Sequence, residues 1–179
     1  GPGCRRELVA RLAGRRLLVV TSPAGRRRFE ADELLAPLAG AAIWADRVAP
    51  NPGLAETRAE IARLAGAPVD AVLAFGGGSA MDAAKAIAAG LAPGLGTRDL
   101  AALIARPELC LAHPPLPVHA VPTTSGTGAE VTPFATIWDH GRRSKLSLAG
   151  PGLYPASATI DPDLTAGLPE GDTISTGLD

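Results

Sequence analysis

The sequence predicts an α/β fold in which an open, mainly parallel sheet carries helices on both faces, with a β-hairpin added. Three observations predict it. Short apolar runs alternate with amphipathic stretches in the order β-α-β-α-β-α over the first half of the chain, the pattern of parallel strands joined by crossover helices. The apolar run from Val69 to Phe75 ends in Gly76-Gly77-Gly78 and passes into the alanine-rich stretch Ser79 to Ala89: strand, glycine turn, helix. Aromatic content is 3% against 46% hydrophobic, so the core is built of Ala, Leu, Val and Ile, which suits helices packed on a sheet.

A length of 179 residues is enough for one core. The net charge of −1 gives no reason to expect nucleic acid or an anionic membrane as partner. Two cysteines, Cys4 and Cys110, are too few for a disulfide framework, and no CxxC spacing occurs. No signal-peptide series opens the chain and no apolar run reaches membrane-spanning length, so a reducing cytoplasm is the expected compartment. The chain begins without Met and stops at Gly177-Leu178-Asp179 with no C-cap, which reads as a piece of a longer protein.

Residues 5 to 13 read as a short helix with Leu8, Val9 and Leu12 on one face. Leu17 to Thr21 is a buried strand, and Ser22-Pro23-Ala24-Gly25 is a loop leading to a helix through Phe29, Leu34, Leu35 and Leu38. Loops at the carboxyl ends of parallel strands line the ligand crevice, which makes Thr21 and Ser22 candidate contacts; a plain turn fits the same residues. Ala41 to Val48 is a second strand. Near its end, Asp46 has the chemistry to accept hydrogen bonds from the two hydroxyls of an adenosine ribose and to repel a 2′-phosphate, although a solvated Asp paired with Arg47 fits as well. Two prolines flank Asn51 and fix an extended turn, after which Leu54 to Ala65 is an amphipathic helix.

In the glycine turn, the free N–H groups of the first helical turn and the positive end of the helix dipole favour an anion, and residues without Cβ let a phosphate approach the main chain. Ser79 sits at an N-cap position with Asp82 three residues on, in a capping-box arrangement. Neither a Walker A loop nor GxGxxG is present, and a tight turn that binds nothing satisfies the same residues. After a Pro- and Gly-punctuated region with a short helix at Thr97 to Ala105, Val118 to Val121 is a fourth strand. It leads into Pro122-Thr123-Thr124-Ser125-Gly126-Thr127-Gly128-Ala129-Glu130, a loop of small donors and acceptors suited to ribose, amide and phosphate groups. Val131 to Trp138 and Lys145 to Leu148 are two strands joined by a hairpin-type turn at 139–143 that exposes His140; His113, among prolines, has no ligand partner at helical spacing. Ala158 to Pro162 holds another short strand, and Asp172 to Asp179 opens a helix.

Four stretches together resemble the iron-dependent (group III) alcohol dehydrogenases, which share their fold with glycerol dehydrogenases and dehydroquinate synthases. They are Asp46 to Pro52, Gly76 to Lys85, Pro122 to Thr132, and Ile160 to Leu164 followed by Thr176-Gly177-Leu178-Asp179, in family order. The resemblance covers essentially the whole chain. It implies a Rossmann-like dinucleotide-binding domain over residues 1–179, with 172–179 starting a helix of a metal domain whose all-helical remainder is missing here.

On these positions the resemblance implies NAD(H) rather than NADP(H) selected at Asp46, pyrophosphate at Gly77, Gly78, Ser79 and Asp82, and cofactor contacts from Thr123, Thr124, Thr127 and Leu164. Lys145 matches a lysine near the nicotinamide ribose, and Asp179 the first ligand of a divalent iron or zinc ion. The family's three histidine ligands are not in this chain, and one carboxylate cannot hold such an ion. The implied reaction is hydride transfer between nicotinamide and a small alcohol or aldehyde, performed by the full-length protein and not by this chain alone.

The stretches 131–139, 145–150 and 174–179 look most like the branch that reduces phosphonoacetaldehyde to 2-hydroxyethylphosphonate. Arg142, Arg143 and Lys145 are then candidate partners for the phosphonate, whereas solvated turn arginines fit equally. A general short-chain alcohol or polyol dehydrogenase is the alternative within the fold, and a non-catalytic dinucleotide-binding module the alternative outside it. A homodimer is left open.

Overall fold

The computed structural model describes residues 1–95 and 100–178. Five strands form one wholly parallel sheet in the order β2-β1-β3-β4-β7: β1 (Leu17–Val20), β2 (Ile43–Ala45), β3 (Ala71–Gly76), β4 (Val118–Pro122) and β7 (Ser157–Ala158). A separate antiparallel hairpin is made by β5 (Phe134–Asp139) and β6 (Ser144–Ala149). The helices are α1 (Arg5–Leu12), α2 (Pro23–Ala31), α3 (Ala36–Ala39), α4 (Leu54–Leu64), α5 (Gly78–Gly90), α6 (Leu100–Ala105), α7 (Leu109–Ala112) and α8 (Glu170–Gly177). None of the helices among the described residues is long and apolar enough to cross a membrane.

The central strands read as unbroken apolar runs because both faces of the sheet are covered. Leu18, Val20, Val72, Ala74, Val118 and Ala120 point to one face and meet Leu64, Met81, Ala84, Ile87 and Ala88 of α4 and α5. Leu17, Val19, Leu73, Phe75 and Val121 point to the other and meet Leu8 and Leu12 of α1, Phe29 of α2, and Leu35 and Leu38. Phe29 anchors that side by edge-on contacts with Phe75 at 5.2 Å and Trp44 at 5.5 Å. α5 is alanine-rich for a packing reason. One flank presses on the sheet, while Ala86 and Ala89 on the other join Leu100, Leu103, Ala135, Ile137 and Leu148, so the hairpin forms a third layer behind it. A helix packed on both sides has room only for small side chains.

Several local expectations are corrected. The helix expected through Phe29, Leu34, Leu35 and Leu38 is two helices, and it starts at Pro23 instead of after a loop, because Ser22 Oγ accepts the Gly25 N–H at 3.0 Å and acts as N-cap. It ends because the Asp32 carboxylate captures the N–H groups of Leu34 and Leu35 at 3.0 and 3.1 Å and turns the chain into α3. The second strand is three residues long, not eight. The N-cap of α5 is Gly77, not Ser79, and Asn51 between its prolines takes a left-handed φ of 57° instead of an extended one. Part of the helix expected at Thr97 to Ala105 lies outside the described residues; α6 accounts for its end, and α7 was not expected.

The chain turns from β1 to β2 in one direction and from β3 to β4 in the other. The order therefore reverses between β1 and β3, and the carboxyl ends of those two strands open a crevice where parallel α/β sheets bind ligands.

Candidate functional site

An open cavity of about 750 Å³ occupies that crevice. Its floor is the turn Gly76-Gly77-Gly78 and the start of α5. One side is Val48 to Pro52, which follows β2, and the facing side is the Thr-rich loop after β4 with Thr124, Thr127 and Ala129. The hairpin closes the far side: strand period 2 buries Ala135 and Ile137 in the core and turns Phe134, Thr136 and Trp138 to the cavity. Lys145 pairs across the hairpin with Trp138 and holds its ammonium 5.9 Å from the indole centroid. Thr176 of α8 completes the lining.

The glycine turn carries the anion chemistry. The N–H groups of Ala80 and Met81 already donate back to the Gly77 carbonyl at 3.0 and 3.2 Å, which leaves those of Gly78 and Ser79 without a carbonyl inside the helix and at the cavity floor. Glycine is favoured here by the close approach of the Thr loop. A Cβ on Gly77 would sit 3.0 Å from Thr124 Oγ1, and one on Gly78 would sit 3.0 Å from the Thr127 methyl, so a side chain at either place would press the threonine to shift by a few tenths of an ångström. Ser79 is bound by the opposite wall, where its Oγ accepts the N–H of Asn51 at 3.2 Å.

Below the turn, α5 holds two ionisable groups that face the hairpin. The half-buried Asp82 carboxylate faces the backbone N–H of Thr136, and burial pushes its pKa above the ordinary carboxyl range although that N–H, Lys85 and Lys145 act in the other direction. Lys85 is fully buried, and burial brings its pKa down to about 8 against the pull of Asp82 and Glu130. Its Nζ donates to the carbonyls of Ala129, Thr132 and Phe134 at 2.6, 2.7 and 2.8 Å.

Of the residues singled out in the sequence, Gly77, Gly78, Ser79, Asp82, Thr124, Thr127 and Lys145 come together around this cavity. Thr123 stands beside it, its N–H spent on the Gly76 carbonyl at 2.9 Å. Asp46 lies past the end of β2, outside the lining, with its carboxylate on Arg26 Nη1 at 2.8 Å; that hydrogen bond holds its pKa below the ordinary range against the opposing effect of burial. Leu164 is buried in the α1/α2 side of the core and offers its carbonyl to Arg28. Arg142 and Arg143 sit at the exposed hairpin tip, Arg142 with 87% of its side chain accessible. Asp179 lies outside the described residues. Thr21, a candidate contact, is buried and spends its hydroxyl on the Phe75 carbonyl at 2.6 Å; Ser22 does line the cavity.

Sequence reading missed Phe134, Thr136 and Trp138 as lining. Their alternation with Ala135 and Ile137 was the available signal. It also gave Lys85 no role.

The residues fit a dinucleotide, through a glycine cradle that a Cβ would fill and two open N–H groups. They do not by themselves fit a metal ion: among the described residues no three His, Cys, Asp or Glu side chains come together.

Known proteins agree with this architecture. A family model described as "Iron-containing alcohol dehydrogenase" matches residues 1–162. A phosphonoacetaldehyde reductase from Streptomyces viridochromogenes is 52% identical over 103 residues, 55% of this chain and 26% of that protein. A 4-hydroxybutyrate dehydrogenase from Cupriavidus necator is 43% identical over 135 residues, 75% of this chain and 35% of that protein. Among solved structures, a sulfoacetaldehyde reductase from Bifidobacterium kashiwanohense in complex with NAD+ superposes with a TM-score of 0.83 at 30% identity, over 100% of this chain and 48% of that one. This chain thus spans less than half the length of these relatives. With the family model covering 162 of its 179 residues, the chain belongs to the iron-containing alcohol dehydrogenases.

Proposed function

We propose that this chain is the dinucleotide-binding part of an NAD(H)-dependent, metal-dependent alcohol dehydrogenase or aldehyde reductase acting on a small substrate. The observation that carries the reading is the cavity between the glycine turn and the Thr loop, with the N–H groups of Gly78 and Ser79 open at its floor. These N–H groups would take the pyrophosphate, the hydroxyls of Thr124 and Thr127 would take ribose and phosphate oxygens, and Lys145 would hold the nicotinamide end beside Trp138. A nicotinamide bound there supplies or accepts the hydride at its C4. Val48, Phe134 and Trp138 would exclude water around it. Metal dependence, with Asp179 as one ligand, rests on family membership, and turnover is assigned to the longer protein.

For the substrate we favour a short aldehyde that carries an anionic group, phosphonoacetaldehyde being the leading case. Two observations support this: the three relatives described above are named for phosphonoacetaldehyde, sulfoacetaldehyde and 4-hydroxybutyrate, and Lys145 is a cationic side chain in the cavity lining. Arg142 and Arg143, at the hairpin tip, are the weaker candidates for the phosphonate. A general short-chain alcohol dehydrogenase is the second reading, favoured by the apolar Phe134 and Trp138 in the same wall.

The test is NADH titration of the chain followed by quenching of tryptophan emission, with Trp138 in the cavity wall as reporter. Saturable quenching is expected, and its absence with both NADH and NADPH would remove the reading. In the longer protein, kcat/KM for phosphonoacetaldehyde above that for propionaldehyde supports the anionic class, and the reverse order supports the second reading.

A further inference from the structure

Lys85 is a charged group that neither the fold nor the proposed chemistry requires. It is fully buried at the centre of α5, and a Met or Leu would fill the same space without the cost of taking an ammonium out of water. What it meets there is specific. The carbonyls of Ala129, Thr132 and Phe134, three groups of one short segment that runs from the Thr loop into β5, converge on its Nζ at 2.6 to 2.8 Å. One turn earlier on the same helix face, Asp82 faces the N–H of Thr136, the next residue but one, closely enough for that N–H to favour its ionised form. Lys85 on α5 therefore grips the main chain of 129–134 at three points, and Asp82 faces its continuation at Thr136. Ala129, Thr132, Phe134 and Thr136 all line the cavity.

The same helix begins at the cavity floor with Gly78 and Ser79. From Gly78 to Lys85 is seven residues, about 10 Å of helix. One rigid element thus sets both the anion-binding floor and, through Lys85, the position of the facing wall.

We infer that Lys85 is a positioning residue of the cleft: its ammonium, donated to the Ala129, Thr132 and Phe134 carbonyls, holds the 129–134 wall at the separation from the glycine turn that a dinucleotide needs. The inference rests on the dinucleotide reading of the cleft. Charged groups that act on Lys85 are Asp82 on its own helix and Glu130 on the gripped segment. Without the ammonium, three inward-facing carbonyls lose their donor, and the segment spends part of its time away from the binding geometry. Apparent affinity falls by the fraction of molecules in the competent state, so a wall in place a tenth of the time weakens binding about tenfold.

The experiment compares the 179-residue chain with its Lys85→Met variant by NADH titration and by amide hydrogen exchange, each well below the melting temperature of the variant. The expected result is an NADH dissociation constant raised about tenfold, with faster exchange confined to 129–136 while the amides of β1, β3 and β4 keep their protection. Wild-type affinity in Lys85→Met overturns the inference, and so does an exchange increase spread evenly over the sheet, which marks a merely structural lysine. If Lys85→Met does not fold, the wild-type protein decides: the amides of Val131 and Thr136 must be protected like the sheet, and exchange at the rate of an open loop overturns the inference. A wild-type chain that binds neither NADH nor NADPH fails differently. It removes the dinucleotide reading and the positioning role together.

Discussion

Arg26 Nη1 donates to Asp46 Oδ2 at 2.8 Å, and the same guanidinium stands 4.6 Å from the Trp44 ring centroid and bonds Glu30 through Nε at 2.9 Å. The presumed ribose-selecting carboxylate is therefore not free at the strand end. It is ionised and aimed by an arginine from α2, whose charge it also neutralises.

If Asp46 selects the cofactor as proposed, this pairing makes cofactor choice a two-residue property. Replacing Asp46 by Gly would remove the proposed acceptor for a ribose hydroxyl and leave Arg26 with Glu30 as its carboxylate partner, and an arginine at this place is what accommodates a 2′-phosphate. Asp46→Gly is expected to raise the NADPH-to-NADH affinity ratio by about tenfold or more. Adding Arg26→Ala is expected to cancel most of that gain. Fluorescence titration with both cofactors checks it, and an unchanged ratio in Asp46→Gly takes Asp46 out of the role.

The turn after β7 is tied to the N-terminus through Asp161, whose side chain is fully buried. Arg5 Nη1 donates to it at 2.7 Å, and the N–H groups of Gly3, Arg5 and Asp163 donate at 3.0 to 3.2 Å. Burial opposes ionisation, but the Arg5 side chain and these N–H groups outweigh it and hold the carboxyl below its ordinary range. A depressed folded-state pKa means that the native state binds fewer protons, so this stability is present in full above the unfolded value of about 3.9 and is lost as pH falls through the folded one. Asp161→Asn is expected to cost about 2 kcal/mol near neutrality, because it removes the charge-assisted bond to Arg5 Nη1 while Arg5 Nε keeps Asp32 at 3.0 Å, and to flatten that part of the acid limb. Urea unfolding between about pH 3 and about pH 7 reads both effects. An acid limb identical to wild type would refute the assignment.

Gly126, in the Thr loop, has φ 141°, and a Cβ there would lie 1.5 Å from the Thr176 carbonyl oxygen of α8. Gly126→Ala must therefore displace α8 or the loop, at a cost of about 2 kcal/mol from the strained φ alone. The expected signature is faster proteolysis within 165–178 with the central sheet still folded. Resistance equal to wild type would show that α8 does not rest on this glycine.

How far each feature could be read from residue types depends on the range of the force that shapes it. Strands β1, β3 and β4 were read within a residue or two because burial on both faces demands unbroken apolar runs. The two strands that flank them shrink to three and two residues, since the outer positions carry less of that demand. The glycine turn was read because close approach of the Thr loop leaves little room for a Cβ, a constraint written in residue identity itself. The helix break at Asp32 and the cap at Ser22 were not, because several polar residues in each stretch compete for the same N–H groups and tertiary contacts such as Arg5 on Asp32 decide which wins.

The site divides along the same line. Its seven clustered residues carried small, polar or charged types suited to phosphate and ribose, and those types mark them wherever they sit. Thr21 and Ser22 differ by one position, and only the direction of each side chain at the strand end sends the first hydroxyl to a buried carbonyl and the second to the cavity rim. Lys85 looks like any helical lysine until packing brings in three carbonyls from 44 to 49 residues away. Local chemistry follows from neighbours in the chain, whereas the convergence of distant main-chain groups on one atom follows from how the layers pack.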